Sequence, residues 1–177
     1  MKKNIEQYGY TLIELLAVMM VFVVIGTFIV SILVTSLRSN NKTNALTTVR
    51  QNGGFVIAQL SKTIREAHAV ISPYPCGTLA TPATASAITI ATVTGDQITY
   101  SCTGSNIASN GANLLDNTSV TLQSCSFSCG KVSLANAPVV SINFSLSAKT
   151  ISKFSDFSAS SSALPFETSV VLRNTNL

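Results

Sequence analysis

The chain is short of charge. Only 10% of its 177 residues are Asp, Glu, Lys or Arg, and none of them lies between Glu14 and Arg38. It has no tryptophan, a single histidine (His68) and four cysteines, all beyond residue 75. Each shortage excludes something. A triad hydrolase needs a base held by an orienting group, and the one imidazole falls at the end of a helical stripe. A histidine there reads as a helix C-terminal residue, favourable with the dipole. No Gly-rich phosphate loop follows a strand, and Asp96, Asp116, Asp156 and Glu167 are too scattered for a calcium loop. The cysteine spacings are not the two close pairs of a zinc site. The expectation is a chain that is not an enzyme and that has no cofactor and no metal.

What the sequence has is one long apolar run. Residues 15–37 carry no charge, and a helix of roughly 20 such residues spans a bilayer. Gly26 is the run's one glycine, and the run holds no proline. Glu14 opens the run. An acid costs about 2.5–3.5 kcal/mol at the centre of a membrane helix and less near its end. A bare anchor has no use for it, so Glu14 is expected to meet a positive partner inside the membrane or inside an apolar assembly. Lys2 and Lys3 precede the run, in keeping with the positive-inside rule, although Arg38 and Lys42 on the other flank weaken that bias. Two simpler readings remain: an uncleaved signal anchor, or a secretory signal cut after Ser36. A cleaved signal has an apolar core of about 7–15 residues, shorter than this run, and neither reading accounts for Glu14.

Beyond the run the pattern becomes amphipathic. Val49, Val56, Leu60, Ile64 and Ala67 fall on one helical stripe, and Arg50, Gln51, Lys62 and Arg65 lie largely off it. The spacing predicts one continuous helix from Thr11 to about Val70, apolar all round in its first half and on one face in its second. Gly53-Gly54 interrupts the second half, as a kink, as a close approach of the domain, or simply as a tolerated weak spot. Pro73, Pro75 and Gly77 end the helix near Ile71. Residues 87–93 and 97–102 flank Thr94-Gly95-Asp96 as a hairpin. Residues 119–128, 139–146 and 168–173 are further strands, and Asn110-Gly111 is a turn. Residues 78–87 and 155–163 read as exposed loops. Asn41, Asn117 and Asn143 open glycosylation-type triplets, a pattern common by chance.

The net charge of +4 belongs to the stalk and leader. Residues 76–177 balance Lys131, Lys149, Lys153 and Arg173 against Asp96, Asp116, Asp156 and Glu167. The basic patch that marks a nucleic-acid-binding domain is not legible there, so no specific nucleic acid is expected as a partner. An even cysteine count in an exported domain predicts two disulfides among Cys76, Cys102, Cys125 and Cys129. If residues 125–129 form one strand, Cys125 and Cys129 sit about 13 Å apart on one side. That exceeds the Cα reach of about 7 Å for a disulfide, so they would pair across the sheet with Cys76 and Cys102. A turn at Ser126-Phe127 would instead let them pair with each other. The cross-sheet pairing is the expectation.

A basic leader ending in Gly9, the aromatic Tyr10, then Thr11-Leu12-Ile13-Glu14-Leu15-Leu16 and a long apolar helix resemble the N-terminus of type IV pilin-like proteins. The branch it resembles is that of minor pilins and type II secretion pseudopilins. The stretches Arg50-Gln51-Asn52-Gly53-Gly54-Phe55 and Leu60-Ser61-Lys62-Thr63-Ile64-Arg65-Glu66-Ala67 resemble the stalk of the larger minor pseudopilins. Residues 168–174 are similar to the strand in which members of that group often end. The resemblance implies cleavage by a prepilin peptidase between Gly9 and Tyr10 on the cytoplasmic side and N-methylation of Tyr10, which stands where the family usually has Phe. It implies that Glu14 pairs with the amino group of Tyr10 on a neighbouring subunit. The partners it implies are that peptidase, other pilin or pseudopilin subunits, an inner-membrane assembly platform and the membrane itself.

The expected fold is α+β and pilin-like, with a long N-terminal helix packed on a small antiparallel β domain. Its parts are a leader (1–9), a transmembrane or filament-core helix (10–37), an amphipathic stalk (38–70) and an extracytoplasmic β-rich domain (71–177). The expected function is that of a structural filament subunit. It is held in the inner membrane by a single pass with the domain outside, and later joins a periplasmic or extracellular filament. The alternatives are a competence or adhesive pilin that binds DNA or surfaces, and a membrane-anchored exported protein that does not assemble.

Overall fold

The computed structural model describes residues 11–132, 137–149 and 163–173. The expected α+β arrangement is present: among the described residues there are one long N-terminal helix and ten strands in two sheets. Helix α1 runs from Leu12 to Glu66. The chain divides into two compact units between Thr43 and Asn44. The first contains the apolar part of α1. The second contains the rest of α1 and all the strands.

In the second unit the helical stripe is buried as its spacing predicts. Val49, Val56, Leu60, Ile64 and Ala67 are each no more than 1% exposed, whereas Arg50, Gln51, Lys62 and Arg65 are exposed. The helix ends earlier than expected, at Glu66. The Ala67 N–H closes on the Ile64 carbonyl at 3.2 Å, and the His68 N–H leaves the helix for the Ala91 carbonyl at 2.7 Å. Ala69 and Val70, expected to finish the helix, instead open strand β1 (Ala69–Ser72). The β-branched pair Val70-Ile71 suits a pleated edge, and the free edge of a neighbouring strand outcompetes one more helical turn.

Strands β2 (Gly77–Thr78), β3 (Ala83–Ala85), β4 (Ala87–Ala91), β5 (Gln97–Thr103), β6 (Asn106–Ser109) and β7 (Ala112–Asn113) follow. The long strands β8 (Val120–Lys131), β9 (Val139–Ala148) and β10 (Leu164–Val171) complete the unit. The first sheet is ordered β1-β4-β5-β6-β7, and the second β10-β9-β8-β2 with β3 also on β8. All pairings are antiparallel except β2 with β8. The hairpin expected around Thr94-Gly95-Asp96 is β4–β5. The Asn110-Gly111 turn joins β6 to β7, with φ of 48° and 84°, the double positive φ of a type I′ connection. Residues 78–87 are not simply a loop, because β3 pairs there with Cys129, Ser128 and Phe127. Most of the expected loop 155–163 lies outside the described residues.

Inward residues alternate with polar outward ones. On β9, Val140, Ile142, Phe144 and Leu146 are buried, while Ser141, Asn143 and Ser145 face away. Both sheets and the helical stripe share one hydrophobic core. Gly53 explains how the helix meets the second sheet. A Cβ at this position would overlap the Phe166 ring of β10, which is itself stacked on Phe144 with centroids 5.1 Å apart. The Gly-Gly pair therefore serves a close approach at Gly53 alone, since a Cβ at Gly54 would meet open space.

Gly53→Val is expected to destabilise the domain by about 1–3 kcal/mol through overpacking. Gly54→Ala is expected to stabilise it by about 0.5–1 kcal/mol through helix propensity. Urea unfolding of the detergent-solubilised chain, followed by near-ultraviolet dichroism, reads both, and equal effects of the two substitutions would contradict the close-approach account.

Candidate functional site

Thr11 starts the helix. Its carbonyl accepts from the Glu14 and Leu15 N–H groups at 3.0 and 3.2 Å. Glu14 therefore sits in the first turn, where the positive end of the helix dipole favours a carboxylate. The next basic residue along α1 is Arg38, roughly 36 Å further on at 1.5 Å per residue. Among the described residues of this unit nothing offers Glu14 a cation.

The surface that follows is apolar all round. Leu12 is 80% exposed, Phe22 67% and Ile32 68%, and the segment is long and apolar enough to cross a membrane. The two threonines of the apolar run, Thr27 and Thr35, turn back on their own helix. Thr27 donates to the Val24 carbonyl at 2.7 Å and Thr35 to the Ser31 carbonyl at 2.9 Å. With the backbone bonded internally as well, little of the helix is left needing water, which is the requirement for a helix in a hydrocarbon medium. The hydropathy pattern did not show this local satisfaction.

The cysteines form two disulfides, Cys76–Cys129 with Cα atoms 5.0 Å apart and Cys102–Cys125 with 5.8 Å. Residues 125–129 are one strand, so Cys125 and Cys129 pair outward from it rather than with each other, as expected. Cys102–Cys125 joins β5 of the first sheet to β8 of the second. Cys76–Cys129 ties the segment entering β2 to the same strand.

A second tie joins the helix to the 114–120 loop, and sequence reasoning missed it. Asn52 donates from Nδ2 to the Thr48 carbonyl at 3.0 Å and accepts the Asp116 N–H on Oδ1 at 3.1 Å. The Asp116 carboxylate accepts from the Ser119 hydroxyl at 2.6 Å, the Thr118 hydroxyl at 2.6 Å and the Thr118 N–H at 3.0 Å. Those bonds, led by Ser119, hold its pKa below the usual carboxylate value. Asp116 organises its own loop and is committed to that work. His68 lies just past the helix with its N–H on the Ala91 carbonyl of β4.

Gly9 and Tyr10, the expected processing pair, lie outside the described residues. Glu14 and the cysteines fall in different compact units, so the expected site residues separate into an apolar helix that begins with an acid and a cross-linked domain.

Replacing Cys102 and Cys125 together by alanine is expected to cost about 2–5 kcal/mol, with a somewhat larger loss for the Cys76–Cys129 pair, which closes the longer loop. Denaturant unfolding with and without reductant checks this, and an unchanged midpoint in either double variant would remove that bridge from the account.

No family model, curated protein or solved structure matches the chain.

Proposed function

We propose that this protein is a structural subunit, of the minor pilin or pseudopilin kind, of a type IV pilus or type II secretion-like filament. The observation that carries the reading is Glu14: a carboxylate in the first turn of an apolar, uncovered helix, with no cation near it among the described residues of its unit. Such a charge is costly in lipid, and it becomes useful when another copy or a sister subunit brings a positive group. In a dry assembly, leaving one member of such a pair alone costs about 3–5 kcal/mol. The α-amino group made by cleavage between Gly9 and Tyr10 supplies that partner, and methylation keeps its charge.

On this reading the chain first spans the inner membrane once, with the disulfide-bonded domain outside. A prepilin peptidase removes residues 1–9, and an assembly platform then moves the helix from lipid into the filament core. The exported, oxidising side agrees with two formed disulfides. The second reading, a membrane-anchored exported protein that does not assemble, draws on the same long apolar helix, and processing distinguishes the two. A DNA-binding or adhesive pilin is less well supported, because the domain's charges nearly balance.

Glu14→Ala is expected to leave cleavage intact and to lower incorporation into sheared filaments at least tenfold, taking about 1.4 kcal/mol per decade. Immunoblots of the filament and membrane fractions read this, and wild-type incorporation of the variant would defeat the assembly role. Gly9→Val is expected to leave the chain at precursor mass. The intact mass and N-terminus of protein from native membranes measure it: a start at Tyr10 for the wild type supports the filament reading, and a start at Met1 favours the anchor.

A further inference from the structure

Arg65 stands in the last turn of α1, and Arg173 follows β10. Far apart in sequence, they meet in the fold, where the Arg173 N–H donates to the Arg65 carbonyl at 3.3 Å. Both are exposed, as is Lys62, which precedes Arg65 by three residues and so shares its helix face. Among the described residues neither arginine forms an ion pair. Glu66, next to Arg65 along the chain, is not without a partner.

The fold thus gathers three cations at one corner of a domain whose other charges nearly cancel. Arginine side chains rooted on neighbouring backbones are long enough to extend toward one carboxylate. Their planar forks suit bidentate recognition of that group. We propose that Arg65, Arg173 and Lys62 form a docking site for a carboxylate-rich segment of a partner protein. The charge of the corner selects the partner. Three cations match a short acidic segment, whereas nucleic-acid binding rests on a longer track of phosphate contacts. Contacts between exposed ions are individually weak and screened by salt, so the docking is reversible and salt-sensitive. This proposal needs only the folded domain and stands whether or not the chain enters a filament.

The test titrates fluorescein-labelled hexaglutamate into the full-length, detergent-solubilised protein at low and high salt, reading anisotropy. The wild type is expected to bind saturably and to weaken with salt. Arg65→Gln and Arg173→Gln should each weaken binding about two- to fivefold, the loss expected for an exposed ion pair. Arg173→Lys should fall between, since it keeps the charge and loses the fork. Arg50→Gln is a control, fifteen residues and roughly 22 Å earlier on the helix, and should bind as the wild type does. Formation of both disulfides and an unchanged melting temperature verify the fold of each variant. Absence of saturable binding, wild-type affinity in the Arg65→Gln/Arg173→Gln double variant, or tighter binding of labelled oligothymidylate than of hexaglutamate would each overturn the proposal.

Discussion

An apolar helix surface that its own unit does not cover sets the terms for this protein. Leaving one Val, Leu, Ile or Phe side chain in water forgoes about 1.5–3 kcal/mol of burial, and the first part of α1 does so on every side. The same segment has its backbone bonded internally and its threonine hydroxyls turned onto helix carbonyls. Its lowest-energy surroundings are therefore lipid or other apolar helices. Glu14 is the exception within that surface, and it gives the proposed assembly a direction: a helix entering a dry bundle with a carboxylate in its first turn favours the neighbour that supplies a cation.

The second unit solves a different problem. A small domain has limited apolar area to bury, and here the core is supplemented by covalent and polar ties. Strand β8 takes both disulfides, one of them across the two sheets. Asn52 fastens the helix to the loop organised by Asp116. Gly53 lets the Phe166–Phe144 stack approach the helix axis. Two of these, at Asn52 and Gly53, fall in the stretch of helix from Val49 to Ile64 whose stripe is buried in the core. On the proposed exported side of the membrane such disulfides persist.

The outward surface of this unit is mostly uncharged. Serine hydroxyls pair across the strands, Ser124 with Ser145 at 2.6 Å and Ser141 with Ser169 at 2.8 Å. Against that background the Arg65–Arg173 corner stands out, because neither arginine is ion-paired among the described residues. In the proposed function the helix provides the main cohesion, and a weak electrostatic contact of this kind adds selectivity between partners rather than bulk affinity.

Local periodicity made much of the protein legible. The uncharged run at 15–37, the stripe from Val49 to Ala67, the β4–β5 hairpin, the three long strands and the I′-type turn at Asn110-Gly111 all follow from residue spacing and turn chemistry within a few neighbouring residues. Glu14 was legible for the same reason, since a lone charge at the start of such a run needs no fold to be seen. The tertiary structure decided what depends on distant partners. The helix stops at Glu66 because β4 offers Ala69–Ser72 an edge. The short strands β2 and β3 exist only because β8 lies beside them. Cys76 chooses Cys129, and Cys102 chooses Cys125, by the register of β8, where sequence had left the choice open. Arg65 and Arg173 share a corner only after β10 returns to the end of the helix. Spacing along the chain carries information about one element at a time, whereas these features are energies of contact between elements, and they exist only once the sheets have closed over the helix.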